Sequence, residues 1–140
     1  MQKKYLLDTN ICISLLKSRY GIREEIINRG FHNCFISEIT IAELYYGASK
    51  SKNKEQTVKD VDFVSEKFTI LPIFPALELF ADIKTRLEKE GMRIDDFDLL
   101  IGATAVFNDL IMVSDNVKHL GRIPNITIEN WTEGKKSFSD

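Results

Sequence analysis

Short runs of apolar and β-branched residues, set apart by stretches with helical spacing, constrain this chain more than any other feature. KYLLD (4–8), CFIS (34–37), TILPIF (69–74), IMVS (111–114) and ITIEN (126–130) read as strands, and Pro72 and Pro75 mark the end of the third. ICISLLKS has helical character, and Gly21 to Arg29 reads as a short helix closed by Gly30. Residues 38–49 carry apolar side chains at 39, 42 and 46 and again at 41, 44, 45 and 48, the pattern of a broadly buried helix. Residues 54–68 repeat apolar positions at 58, 61, 64 and 68. From Ala76 the pattern 76, 79, 80, 83, 87 describes an amphipathic helix that Gly91 stops. FDLLIGATAVF is apolar on nearly every side and predicts a central helix. Strands alternating with helices in this way predict a parallel sheet covered on both faces, a three-layer α/β/α fold with about five strands. A length of 140 residues suits one domain, taken here as 1–131, with 132–140 (TEGKKSFSD) expected to form a frayed polar tail.

Charge narrows the function. Nineteen basic residues against 21 acidic ones leave a net charge of −2, which excludes a polyanion binder that works by bulk positive charge. A local basic rim or a bound cation keeps nucleic acid within reach. The apolar runs are far too short to span a membrane, and Asp8 interrupts the first one before it forms a signal-peptide core. Cys12 and Cys34 lie far apart without CxxC spacing, so two buried thiols are expected in preference to a disulfide, and a cytoplasmic location with them.

In a parallel α/β sheet, ligands bind where the strands end and the helices begin. Asp8 closes the first strand, and Glu43 lies in the second turn of the helix after the second. Asp98 opens the central helix, and Ser114, Asp115 and Asn116 close the fourth strand. Connectivity therefore brings carboxylates from distant segments to one edge. Each has an ordinary alternative: Asp8 or Thr9 as the cap of a helix starting at Asn10, Asp98 as a helix-terminal charge, Asp115-Asn116 as turn residues. Glu43 differs, because it sits mid-helix among apolar neighbours with no Lys or Arg within four residues. An unpaired carboxylate there carries a desolvation cost that a cation removes. Carboxylates without nearby His or Cys suit a hard ion, Mg²⁺ or Mn²⁺, and hence phosphodiester hydrolysis.

"LLDTNI", "SEITIAELYYGASKS", "FDLLIGATA", "MVSDNVKHL" and the closing "IENW" together resemble a PIN-domain protein, most closely the VapC-type ribonuclease toxins of type II toxin–antitoxin pairs. The resemblance runs from about Lys3 to Trp131. It implies that Asp8, Glu43 and Asp98 bind Mg²⁺ or Mn²⁺ for endoribonuclease cleavage. It also implies a homodimer silenced by a small antitoxin whose tail enters the active-site groove. The fourth block departs from the family pattern, leaving Asp115 or Asn116 as the further ligand, and His119 and Leu120 replace the acid and phenylalanine often found there. Thr9, Asn10 and Ser114 are expected to orient the carboxylates. Within RIDDFD, Asp98 is preferred over Asp95 and Asp96, which read as solvated loop charges. Gly102 stands where the family usually has alanine, an exchange given no weight.

His32 and His119 read as surface or packing residues. Lys17, Arg19, Arg86, Arg93, Lys118 and Arg122 are candidate RNA contacts that the sequence does not rank, and Tyr45, Tyr46 and Phe80 are candidates for the groove. Two rival readings stand beside the nuclease: a PIN fold that binds RNA or protein without cutting, and a receiver-like phospho-acceptor domain. The second wants an acid after the middle strand, where LPIFP has none.

Overall fold

A computed structural model describes residues 2–135. In chain order these form β1 (Tyr5–Leu7), α1 (Thr9–Leu16), α2 (Ile22–Arg29), β2 (Cys34–Ser37), α3 (Glu38–Ser49), α4 (Lys54–Lys67) and β3 (Thr69–Leu71). There follow α5 (Leu77–Lys89), α6 (Asp96–Phe107), β4 (Ile111–Val113), α7 (Val117–Leu120) and β5 (Ile128–Glu129). The five strands make one parallel sheet in the order β3-β2-β1-β4-β5.

The middle strand explains the layering. Tyr5, Leu6 and Leu7 are all buried, because β1 has neighbours on both edges and helices on both faces. Side chains alternate along a strand. Leu6 therefore joins Leu99, Ile101, Met112 and Ile123 on one face, whereas Tyr5 and Leu7 join Ile11, Ile26, Ile36 and Trp131 on the other. Each fully buried Leu or Ile contributes about 1.5–3 kcal/mol against exposure, so the two cores hold the three layers together. Cys12 and Cys34 are both buried and unpaired in the second of these cores, and burial pushes both thiols well up, Cys34 to about 11.

Several boundaries differ from the sequence reading. The first strand spans only Tyr5–Leu7, and the third ends at Leu71, where Pro72 removes the next ladder donor. Ile73 N–H instead donates to the Glu38 carboxylate at 2.7 Å. The fifth strand shrinks to Ile128–Glu129, and the one-turn α7 was not anticipated. The central helix begins at Asp96, not at Asp98, because Asp95 caps it: its carboxylate accepts from the Phe97 and Asp98 N–H groups at 3.1 and 3.4 Å.

Gly102 matters more than a small-for-small exchange suggests. A Cβ there would stand 2.3 Å from Ile123 Cδ1, so that buried side chain must turn aside before a methyl group fits. At the chain's other end, Thr132 to Lys135 turn back, and Lys135 reaches Glu25 at 3.0 Å. Residues 136–140, the rest of the tail expected to fray, lie outside the described residues. Among the described residues no helix is long and apolar enough to cross a membrane.

Candidate active site

Three consecutive residues after β1 organise the edge of the sheet. Asp8 is 2% exposed, and its backbone N–H still pairs with Val113 O at 2.9 Å. One carboxylate oxygen accepts from Thr9 N–H at 2.8 Å and so caps α1, which starts at Thr9 rather than Asn10. The other accepts from the Ser114 hydroxyl at 2.7 Å. Asp8 is thus both a cap and a buried acid tied to the end of β4. Thr9 donates its hydroxyl to Glu43 at 2.7 Å and, its proton being used, accepts from Thr40 at 3.1 Å. The Asn10 amide donates to Asp115. One tripeptide therefore reaches both α3 and the turn after β4.

Asp98 lies in the first turn of α6, half-buried. Among the described residues its carboxylate has no hydrogen-bond or ion-pair partner; it meets repulsion only. Burial, then Asp8, Asp95 and Glu43, push its pKa from the usual 3.8 to about 6. Burial also raises Asp8, opposed by the bonds from Ser114 and Thr9 and reinforced by Glu43 and Asp115. The four carboxylates of Asp8, Glu43, Asp98 and Asp115 thus share one electrostatic field.

The Asp98 shift has a measurable sign. Between the unfolded value near 3.8 and the folded value near 6 the native state holds the extra proton. Metal-free protein is therefore expected to lose stability as pH rises through this window and to level off above it. Cation affinity is expected to run the other way, rising through about pH 6 as the competing proton leaves. Thermal melts in EDTA and in Mn²⁺ across this range check both, and Asp98→Asn should flatten the EDTA profile. A profile that stays flat in the parent protein would contradict the shift.

The donor set fits a hard divalent cation: carboxylate oxygens with mutual repulsion, and no Lys or Arg ion-paired to any of the four among the described residues. Among those residues no three Asp, Glu, His or Cys side chains stand close enough to form a ready-made cage. That openness suits Mg²⁺, which keeps several waters and takes only one or two carboxylates directly.

The other sequence candidates separate clearly. Asp96 pairs with Lys84 at 3.1 Å and Asp95 caps α6, so neither is the solvated loop charge expected. Asn116 Oδ1 is 2.8 Å from His119 Nδ1, whereas Asp115 is turned to Asn10 and acts on Asp8. Thr40, fully buried and one helical turn before Glu43, was missed; its i−3 spacing from that acid was the available signal.

Two grooves flank the acids. One runs beside Glu43, lined by Ile13, Leu16, Lys17, Leu44, Gly47 and Val61 among others. The other runs beside Asp98, lined by Arg93, Ile94, Asp95, His119 and Arg122. Tyr45 and Tyr46 line neither: the Tyr45 hydroxyl donates to Asp62 at 2.6 Å, and Tyr46 is 64% exposed with Lys50 over its ring. Phe80 packs on the core around Leu6 instead.

The PIN domain family profile matches residues 5–124. The chain belongs to the PIN domain family. It is similar to the ribonuclease VapC2 of Haemophilus influenzae, 39% identical over 91% of this chain and 98% of that one. It also resembles the tRNA(fMet)-specific endonuclease VapC of Salmonella typhimurium, 31% identical over 91% and 98% of the two chains. The crystal structure of VapBC2 from Rickettsia felis, bound to a DNA fragment from their promoter, superposes with a TM-score of 0.84 at 35% identity. That match covers 91% of this PIN domain chain and 98% of the other, so the likeness extends over the whole fold. A receiver-like reading falls with it, since Pro72-Ile73-Phe74 follow β3 without an acid.

Proposed function

We propose that this PIN domain is a Mg²⁺- or Mn²⁺-dependent endoribonuclease and the toxin of a toxin–antitoxin pair. The observation that carries the reading is the buried Asp8 carboxylate, tied to Ser114 and sharing its field with Glu43 and Asp115 from distant segments. The VapC names of its relatives support the substrate. Asp8, Glu43 and Asp98 would hold the cation, with Asp115 as the further acid. When bound, the ion polarises the phosphoryl oxygen and lowers the pKa of a coordinated water, so that no covalent enzyme intermediate is needed. Ser114 and the Thr9 N–H orient Asp8, while the Thr9 and Thr40 hydroxyls orient Glu43.

The apolar groove beside Glu43 suits an amphipathic antitoxin segment, which would cover that acid while its apolar side chains meet Ile13, Leu16, Leu44 and Val61. A homodimer is the assembly that the family likeness implies. Purified protein incubated with total RNA should cut with Mg²⁺ or Mn²⁺ and stop cutting in EDTA. Cleavage that persists in EDTA would sink the reading. No cleavage together with little Mn²⁺-dependent stabilisation would favour a PIN fold that binds RNA without cutting it.

A further inference from the structure

Of the six basic residues that the sequence leaves unranked, Arg19 lines neither groove and the other five fall into distinct settings. Arg86 pairs with Glu90 on the exposed face of α5, Lys118 projects from α7, and Lys17 lines the apolar groove. Lys17 shares that groove with Glu43, whereas Arg93 and Arg122 together share the other groove with Asp98.

That groove holds about 440 Å³ and is open to solvent along its length. Its architecture is specific. Arg122 comes from the turn after α7, half-buried, and its guanidinium donates to the Arg93 carbonyl at 2.9 Å. That bond locks the turn after α7 to the loop before α6, so the two arginines and Asp98 belong to one frame. Arg93 is largely exposed, and its only ion pair among the described residues is Glu88 at 3.8 Å, a surface contact that holds it weakly. Asp95 keeps its charge but forms no ion pair with either arginine, its carboxylate accepting instead from the N–H groups that open α6. The groove thus has two guanidiniums at one side and an acid of the proposed metal site at the other.

We propose that Arg93 and Arg122 form a backbone-phosphate subsite for single-stranded RNA, holding the phosphate next to the one being cut. The inference rests on the endoribonuclease reading and deepens it. A phosphodiester chain suits this geometry because it carries a charge at every step: one phosphate meets the guanidiniums while its neighbour lies at the acids. Arg suits that task, since its planar fork takes two phosphate oxygens at once. An acidic peptide fits less well, because it would set carboxylates beside Asp95 and Asp98 with no cation requirement to offset the repulsion. Both arginines are positioning residues rather than catalytic ones.

The test measures binding and cleavage separately on the full chain. A short fluorescein-labelled single-stranded RNA of mixed sequence is titrated with protein in Ca²⁺ across about 50 to 200 mM salt. Cleavage of the same RNA is followed in Mn²⁺. The Arg93→Gln, Arg122→Gln double variant is expected to reduce the salt slope by about 0.7, as for the one phosphate the two arginines share, and each single variant by part of that. KM should rise severalfold while kcat and the Mn²⁺-induced thermal shift stay unchanged. Because Arg122 also braces the loop, Arg122→Lys serves as its control: it keeps the charge and should keep most of the slope.

An unchanged slope in the double variant overturns the subsite, whatever the cleavage rate. So does a loss confined to kcat, or a loss of affinity for a polyglutamate peptide in place of RNA. Failure of the parent protein to cut, with arginine-dependent RNA binding intact, would instead overturn the nuclease reading and leave the subsite standing.

Discussion

Asp8→Asn is expected to abolish nearly all RNA cleavage while leaving the metal-free protein no less stable. The two effects part because the buried carboxylate serves the site at the fold's expense. Burial raises the Asp8 pKa, so its ionised form is costlier in the folded chain than in the unfolded one. Asparagine removes that cost and still offers an oxygen to the Thr9 N–H that caps α1. Cation binding loses a ligand that contributes several kcal/mol of charge stabilisation, which corresponds to a rate loss of about 10³-fold. The parent protein should gain about 2.7 kcal/mol in Mn²⁺ at a hundred times its dissociation constant, and the variant little of it. Cleavage assays with and without EDTA, paired with thermal melts, check both halves. A variant that cuts at the parent rate would remove Asp8 from the site.

The largest loss of stability is expected from Trp131→Ala. Trp131 is 4% exposed, and its indole meets the Tyr5 ring edge-on with centroids 5.3 Å apart. The Arg29 guanidinium stacks 4.4 Å above it and also faces Tyr5 at 5.5 Å. The indole N–H donates to Glu129 at 3.0 Å, and Arg29 pairs in turn with Glu25. Truncating a buried tryptophan costs about 3–5 kcal/mol, a large share of the roughly 5–15 kcal/mol that holds a domain together. The melting point should fall by roughly 10 °C or more. Cleavage measured well below that point should survive, because the indole N–H is given to Glu129 and not to Asp8, Glu43, Asp98 or Asp115. A loss under about 1 kcal/mol would mean that the aromatic stack adds little to area burial.

The alternation of strand and helix was legible in the sequence because its apolar periods switch between two and 3.6, and parallel strands that lead into helix N-termini were enough to expect the acids at one edge of the sheet. Elements shorter than a period were not legible. Val117–Leu120 makes a single turn, too few residues to display a pattern, whereas the fifth strand was read at 126–130 and pairs over Ile128–Glu129 alone. The start of α6 was misplaced for a related reason: Asp95 and Asp96 are polar, so the apolar run begins late. Asp95 preceding Asp98 by three was the overlooked capping signal. Asp115 meets Asn10 and Asn116 meets His119, partners that depend on which way a turn faces and that the sequence does not display. Gly102 looked exchangeable because Ile123, which fills the space above it, is remote in sequence.

The hydrogen bond from Ser114 to Asp8 spans 106 positions, and β1 gains its β4 neighbour only from residues 111–113. At about 5–20 residues per second, a ribosome takes roughly 5–20 s to pass from one end of that bond to the other. A chain still being made holds Asp8, Glu43 and their threonine partners, but neither the Ser114 that ties down Asp8 nor Asp98. Every residue lining the apolar groove, from Ile13 to Val61, is synthesised before Asp98 and Ser114. The surface proposed for the inhibitor is therefore complete in sequence before the activity it would restrain, and the order of translation itself favours capture ahead of catalysis.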